Sequence, residues 1–516
     1  MTVTLAHTPA HLDLLDAPQL RELVLTMSQQ MQQMQQLIDR LTHEMAVLKR
    51  LKFALQSERH SRSPEEQREL EESIDADLQA LEQELQRLQP QKERTTAEAV
   101  GPRRTALPAE LPRHEIYHEP EPTQCRCGCE MKRIGEDVSE RLDYQPGVFS
   151  VQRHIRGKWV CRACETIQQA PIPAHIIDKG LASTALLAQV LVAKYADHVP
   201  LHRQQSIFAR SGVELARSTL AQWVGSCGVQ LQPLVDALKQ ELLQTALLHA
   251  DETPVQMLNP GQGKTQRAYL WAYSSNMLGE LRAVVYDFCH SRAGQHSRNF
   301  LQGWSGALVC DDYVGYKQIF TGSKVIELGC MAHARRKFFD LHAANKSHIA
   351  GFALEQIGKL YDIERQAQGL NDEQRLALRQ QYSRPILEAL QQWMQHQRQQ
   401  IPDSSATAKA LDYSLRRWAA LTRFADNGHW PIDNNWAENQ MRPIALGRKN
   451  WLFAGSLRAG QRAAAIMSLI QSARLNGHDP YVYLRDVMTL LPTTKQADIA
   501  SLLPHHWQPS EPATSP

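Results

Sequence analysis

This chain has no long hydrophobic run, no strong excess of either charge and no evenly spaced set of cysteines. No uninterrupted apolar stretch approaches the ~20 residues of a membrane span, so no membrane partner is expected. Met1 to Leu15 carry acidic residues and lack the basic segment of a secretory leader, which argues for a cytoplasmic protein. A formal net charge of +2 excludes a uniformly basic surface, so any contact with nucleic acid must come from local patches. Of the nine cysteines, Cys125, Cys127, Cys129, Cys161 and Cys164 cluster and the others are scattered. In a reducing compartment such a cluster points to metal before disulfides.

The chain is 516 residues long and 42% hydrophobic, ordinary for soluble globular proteins. Its length suggests about three domains. Residues 1–89 read as N-terminal coiled-coil helices. One seam is Val24, Met31, Ile38, Met45; the other is Met27, Met34, Leu41, Leu48, Leu55. Ser63-Pro64-Glu65-Glu66 starts a second helix, with Ile74, Leu78, Leu81, Leu85 and Leu88 on one face. Self-association into a homo-oligomer is one outcome; an intramolecular hairpin is the other. Residues 90–113 are rich in Pro, Thr, Ala, Glu and Arg without apolar period, and read as a linker.

Residues 114–178 form the cysteine module. Cys161-Arg162-Ala163-Cys164 has zinc-knuckle spacing, and two of Cys125, Cys127 and Cys129 can complete a tetrahedral Cys₄ site. With a strand over Val148 to Ile155, this is a zinc-ribbon-like module; the alternative is a degenerate knuckle without metal. Residues 179–240 read as helices, capped at Ser183-Thr184, with a turn at Ser211-Gly212-Val213 before a further helix. That pattern is helix-turn-helix-like and makes a candidate DNA contact.

From 241 the pattern becomes mixed. Apolar runs at about 245–251, 267–274 and 281–288 read as strands, followed by a helix near 295–302, strands at 306–311 and about 324–328, and a helix over 331–343. Residues 344–425 read as an α-helical insertion. Helix 434–441 is expected to stop before Pro443, because the residue preceding proline disfavours helix. Residues 241–343 and 426–460 together suit a ribonuclease-H-like mixed sheet whose fourth strand lies beside the first. C-terminal helices over 461–501 and a disordered tail over 502–516 complete a multidomain α+β chain.

Asp251 and Asp311 end two of those strands, and Glu438 stands at the start of a helix. Three such carboxylates can hold Mg²⁺ or Mn²⁺, hard ions that favour oxygen ligands, for phosphodiester chemistry on nucleic acid. Glu252, Asp312, Asp433 and Asp287 compete for the same roles. Arg335, Arg336, Lys337, Arg442, Arg448 and Lys449 lie near the acids in sequence and are candidate phosphate contacts. Trp451 and Phe453 read as a buried strand before base-stacking residues. Cys330 and His333 have metal-ligand spacing but no evident further ligand.

The segments His249-Ala250-Asp251-Glu252-Thr253-Pro254, Asp311-Asp312-Tyr313-Val314-Gly315-Tyr316 and Asp433-Asn434-Asn435-Trp436-Ala437-Glu438 resemble the bacterial insertion-sequence-sixty-six transposase family. So do Gly447-Arg448-Lys449-Asn450-Trp451-Leu452-Phe453 and Cys330-Met331-Ala332-His333-Ala334-Arg335-Arg336-Lys337-Phe338, and the resemblance covers nearly the whole chain. It implies a DDE transposase that binds element ends and cleaves and transfers DNA strands, with Asp251, Asp311 and Glu438 as the Mg²⁺-holding triad. Accessory proteins of the same element are possible partners. This chain departs from the family in two places: Asp312 replaces a common Gly, and Cys125 and Cys127 are one residue apart where the family has CxxC. A dead-core DNA-binding protein and a nuclease without transfer activity are the competing readings.

Overall fold

The computed structural model describes residues 107–509 apart from 108, 110, 120–128, 130, 146, 260–263 and 322–323. The expected coiled coil and both Cys125 and Cys127 lie outside the described residues.

Four strands form the first sheet: β1 (Arg113–His118), β2 (Lys132–Gln145), β3 (Val148–Val160) and β4 (Ile167–Gln169). β2 and β3 make a long antiparallel hairpin, with β1 parallel to β3 and β4 antiparallel to it. At one end of this sheet Met131 and Cys161 form a small buried cluster among the described residues, with Cys129 and Trp159 packed on them. Nearer the hairpin turn, Leu142, Tyr144, Phe149 and Val151 join the main core instead. The module thus borrows its hydrophobic support from its neighbours.

Helices α1 (Thr184–Tyr195), α2 (Leu201–Arg210), α3 (Arg217–Gln230) and α4 (Gln232–Leu242) follow. Ser183 caps α1 as expected, its hydroxyl accepting from the Leu186 amide. The helix-turn-helix expectation meets a difficulty in α3. That helix is buried continuously from Trp223 to Gly228, and Gly228 packs against Arg462 so closely that an added Cβ would clash. Its apolar face serves the core, and only its first turn faces solvent.

The second sheet contains β5 (Leu247–Asn259), β6 (Lys264–Ser275), β7 (Val284–Cys289), β8 (Gly306–Cys310), β9 (Val325–Gly329) and the short β10 (Phe453–Ala454). Its order is β7-β6-β5-β8-β9, with β10 also on β5. β5, β6 and β7 are antiparallel; β8 joins β5 in parallel and β9 joins β8 in parallel. The fourth strand of this sheet therefore lies beside the first. Between strands run α5 (Gly294–Phe300) and α6 (Val314–Phe320), and α7 (Met331–Asn345) leaves β9. Edge strand β7 is covered by α14 (Leu457–Leu475), whose Ser468 and Ser472 hydroxyls accept from the Tyr286 and Val284 amides at 2.8 and 3.0 Å.

Helices α8 (His348–Gln366), α9 (Asp372–Leu378), α10 (Arg384–Gln399), α11 (Ala406–Arg416) and α12 (Trp418–Thr422) build the insertion around their own apolar cluster with α7. A buried arginine locks it. Arg379 forks onto Glu364 at 2.7 and 2.6 Å and also donates to the carbonyls of Phe424, Asn427 and Trp430. Arg379→Ala strands a carboxylate and three carbonyls. The expected cost is ~3–5 kcal/mol, measured by thermal or denaturant unfolding; an unchanged midpoint would refute the role of this residue as the lock.

Helix α13 (Asn435–Trp451) departs from expectation by continuing through Pro443 to Trp451. An internal proline costs roughly 3 kcal/mol. Burial of Ala437, Met441 and Ile444 against the second sheet, and anchors at both helix ends, offset it. Trp451 accordingly ends a helix, and only Phe453 lies in a strand. After α15 (Pro480–Leu490), the expected tail from 502 is ordered as far as 509. Leu503 and Trp507 are buried, and Trp507 meets Tyr483 edge-on at 5.4 Å. Leu502, Leu503 and Trp507 join the main core, and the Tyr483 hydroxyl donates to the Leu502 carbonyl, so the polar, proline-containing segment is held by both packing and hydrogen bonds.

Candidate active site

Parallel pairing of β5 with β8 runs from Leu247 opposite Ala307 to His249 opposite Val309. β8 ends at Cys310, so Asp311 emerges from its C-terminal end. β5 does not end at Asp251, as the sequence suggested. It continues to Asn259 paired with β6, and only its β8 flank stops after His249. Pro254, which has no N–H to give a second neighbour, falls in this one-sided stretch. Asp251 thus lies just past the point where two parallel strands diverge, a usual place for ligand sites in such sheets.

Glu438 reaches the same place because α13 is latched to β5. Asn434, just before the helix, is buried. Its amide nitrogen donates to the Ala250 carbonyl at 2.8 Å, and its amide oxygen accepts from His249 Nδ1 at 2.9 Å. Burial pushes His249 down to about 4, so the ring is neutral and Nδ1 carries its proton. The Asn434 backbone N–H donates to Cys330 Sγ at 3.2 Å. One residue thus grips the neighbour of Asp251 and the strand end before α7, while its own carbonyl accepts from the Glu438 amide.

The acids are electrostatically coupled. Burial, then the charges of Glu252, Glu438 and Asp311, push the Asp251 carboxyl up to about 8. Asp251 Oδ1 accepts from the Glu252 amide and Asp311 Oδ1 from the Tyr313 amide, each at 2.9 Å. Glu438 Oε1 stands 3.7 Å from His333 Nδ1, and Oε2 stands 3.6 Å from Arg336. Glu438 Oε1 and His333 Nδ1 are both buried without a hydrogen-bond partner. An unneutralised carboxylate group with an orphaned buried oxygen suits a hard divalent cation, so this donor set fits Mg²⁺ or Mn²⁺.

The competing acids are otherwise engaged. Glu252 is buried with Arg292 and Tyr316, whose hydroxyl donates to it at 2.6 Å. Asp312 pairs with Lys317 at 3.0 Å and Arg417 at 3.3 Å. Asp433 accepts from Tyr361 at 2.8 Å and from the Asn435 amide. Asp287 sits on β7 beside Cys289, away from the triad. Sequence reasoning missed Asn434, Arg292, Tyr316 and Tyr361. Only Asn434, a capping residue type ahead of a helix, carried a local signal.

Cys330 and His333 do acquire a further neighbour, contrary to expectation. Their donor atoms and a Glu438 oxygen lie within 4.8 Å of one another. Cys330 is a structural partner, since burial pushes its thiol up to about 12 and Sγ already accepts from Asn434. Among the basic candidates, Arg335, Arg336 and Lys337 are exposed on α7, and Arg442 and Lys449 are exposed on α13. Arg448 is spent on structure, donating to Thr253 Oγ1 and the Pro254 carbonyl at 2.9 Å each. In the cysteine module, Cys129 packs on buried Cys161, while Cys164 is exposed after a turn.

Comparison with known proteins follows this geometry. Residues 179–462 match the family described as Transposase IS66 family. Residues 122–165 match the zinc-finger binding domain of transposase IS66, 468–505 the IS66 C-terminal element, and 40–116 the domain described as Transposase C of IS166 homeodomain. Two relatives come from Sinorhizobium fredii (strain NBRC 101917 / NGR234), both called uncharacterized. Protein y4jD is 37% identical over 78% of this chain and 81% of its own length. Protein y4qI is 37% identical over 85% of this chain and 83% of its own. No helix among the described residues is long and apolar enough to cross a membrane.

Proposed function

The chain belongs to the IS66 transposase family, and we propose that it cleaves and joins DNA at the ends of a mobile element through Asp251, Asp311 and Glu438. The observation that carries this reading is geometric: Asp251 lies where β5 and β8 diverge, Asp311 leaves the end of β8, and Asn434 ties the start of the Glu438 helix to the residue before Asp251. The sheet order, with β8 beside β5, supports reading this domain as ribonuclease-H-like.

Divalent cations held by these carboxylates would activate the attacking oxygen and stabilise the leaving one. The protein's own part is placement. Asn434 fixes the approach of Glu438 to Asp251, and the Tyr313 amide holds Asp311 toward the same space. Arg336 borders Glu438, and with exposed Arg335 and Lys337 on the same helix it would hold DNA phosphates, which makes binding salt-sensitive. In the reaction, a water or a DNA 3′-hydroxyl forms a new bond to phosphorus, the old P–O3′ bond breaks, the attacker gives its proton to solvent, and the leaving 3′-oxygen takes one from solvent to become a hydroxyl. Water as attacker nicks the strand; a 3′-hydroxyl joins it to a new partner.

Two further roles follow from the same family membership. Cys161, Cys164 and two of Cys125, Cys127 and Cys129 hold Zn²⁺, with Cys129 already packed beside Cys161. The leader helices pair chains into an oligomer that brings element ends together, with or without accessory proteins. Incubating full-length protein with supercoiled DNA carrying element ends and Mg²⁺ should give joined as well as nicked products, and EDTA should remove both. Nicking without joining would leave only a nuclease, and no cutting at all would leave a DNA-binding protein with an inert core.

A further inference from the structure

Away from the triad, Glu241 in the last turn of α4 meets two consecutive histidines of the C-terminal segment. His505 Nε2 lies 2.5 Å and His506 Nε2 3.5 Å from the same oxygen, Glu241 Oε2. The three donor atoms lie within 4.8 Å of one another. Both Nε2 atoms thus converge on one carboxylate oxygen, while His505 Nδ1 is buried without a hydrogen-bond partner. Side-chain exposure is graded, 11% for His505, 32% for Glu241 and 51% for His506, so one side is closed by protein and the other is open to water. Burial also holds His505 below its ordinary value, which keeps its imidazole neutral and able to bind metal.

We propose that Glu241, His505 and His506 form a second metal site for a divalent transition ion such as zinc, completed by water. Two imidazoles and a carboxylate suit zinc, cobalt or nickel, whereas Mg²⁺ takes oxygen ligands. On loading, the His505 proton moves from Nε2 to Nδ1, and the short contact to Glu241 opens to let both atoms bind the ion. The ion then clasps the segment after Leu502 to α4, the helix that leads directly into β5 and Asp251. The site uses none of the cysteines of the first module.

The test uses the untagged full chain, stripped of metal and reloaded with zinc. The parent should retain one zinc equivalent more than His506→Gln or Glu241→Gln, and its zinc-induced rise in melting temperature should exceed theirs. His506→Gln keeps the His505–Glu241 hydrogen bond, so its fold in EDTA should match the parent's; if Glu241→Gln misfolds, His506→Gln decides alone. The cysteine module is unchanged in all three proteins and contributes equally. Equal zinc content and an equal thermal shift in parent and His506→Gln would overturn the site.

Discussion

Asp251→Asn should remove strand cleavage and joining by on the order of 10³-fold or more, and should stabilise the metal-free protein at alkaline pH. The two effects share a cause. Burial and three neighbouring acids raise the Asp251 carboxyl from 3.8 to about 8. The folded state therefore holds this proton over a range in which the unfolded chain has lost it. The contribution of Asp251 is fully favourable below pH ~3.8, declines as the pH rises, and levels off above about 8. An amide has no charge to bury, so the substituted protein loses this slope. Melting temperatures in EDTA between about pH 4 and 9 should fall with pH more steeply for the parent than for Asp251→Asn. Parallel curves, or a variant that still cuts DNA, would show that the acids are not coupled as described.

Of the adjacent aspartates, Asp311→Asn should cost on the order of 10³-fold in activity, and Asp312→Asn less than about tenfold. Their neighbours separate them. Asp311 adds its charge to that of Asp251 and receives only a backbone amide, leaving its second oxygen for a ligand. Asp312 is held by Lys317 and by Arg417, which also bonds Glu327 at 2.6 Å. Its loss takes one arm from a network in which buried Arg417 keeps its bond to Glu327, so the fold and the proposed metal-facing acid both remain. A strand-transfer assay with a melting curve for each protein reads both. If Asp312→Asn were the inert one, the metal-facing acid would have been assigned to the wrong member of the pair.

The strands, the helical character of 348–422 and the strand-end position of Asp311 were legible in the sequence because apolar runs and turn residues are local signals. Pro443 was misread for the same reason: a local rule predicted a stop, and packing of Met441 and Ile444 overrode it. The extension of β5 past Asp251 was hidden because its acidic and proline residues look like a strand end, while pairing with β6 sustains it. Asn434 is the clearest case of what sequence cannot show. Its function lies in a hydrogen bond to Ala250, 184 residues away. The convergence of His505 and His506 on Glu241 is equally nonlocal, linking residues 264 positions apart in the tighter contact.

Glu438 follows Asp311 by 127 residues, with the whole helical insertion between them. A ribosome must therefore make that insertion before the last acid emerges. A nascent chain, or one cut short by a premature stop anywhere in that interval, carries two aspartates and no third partner. On the proposed reading, the insertion sets the synthesis of the two aspartates apart from that of the acid that completes the triad.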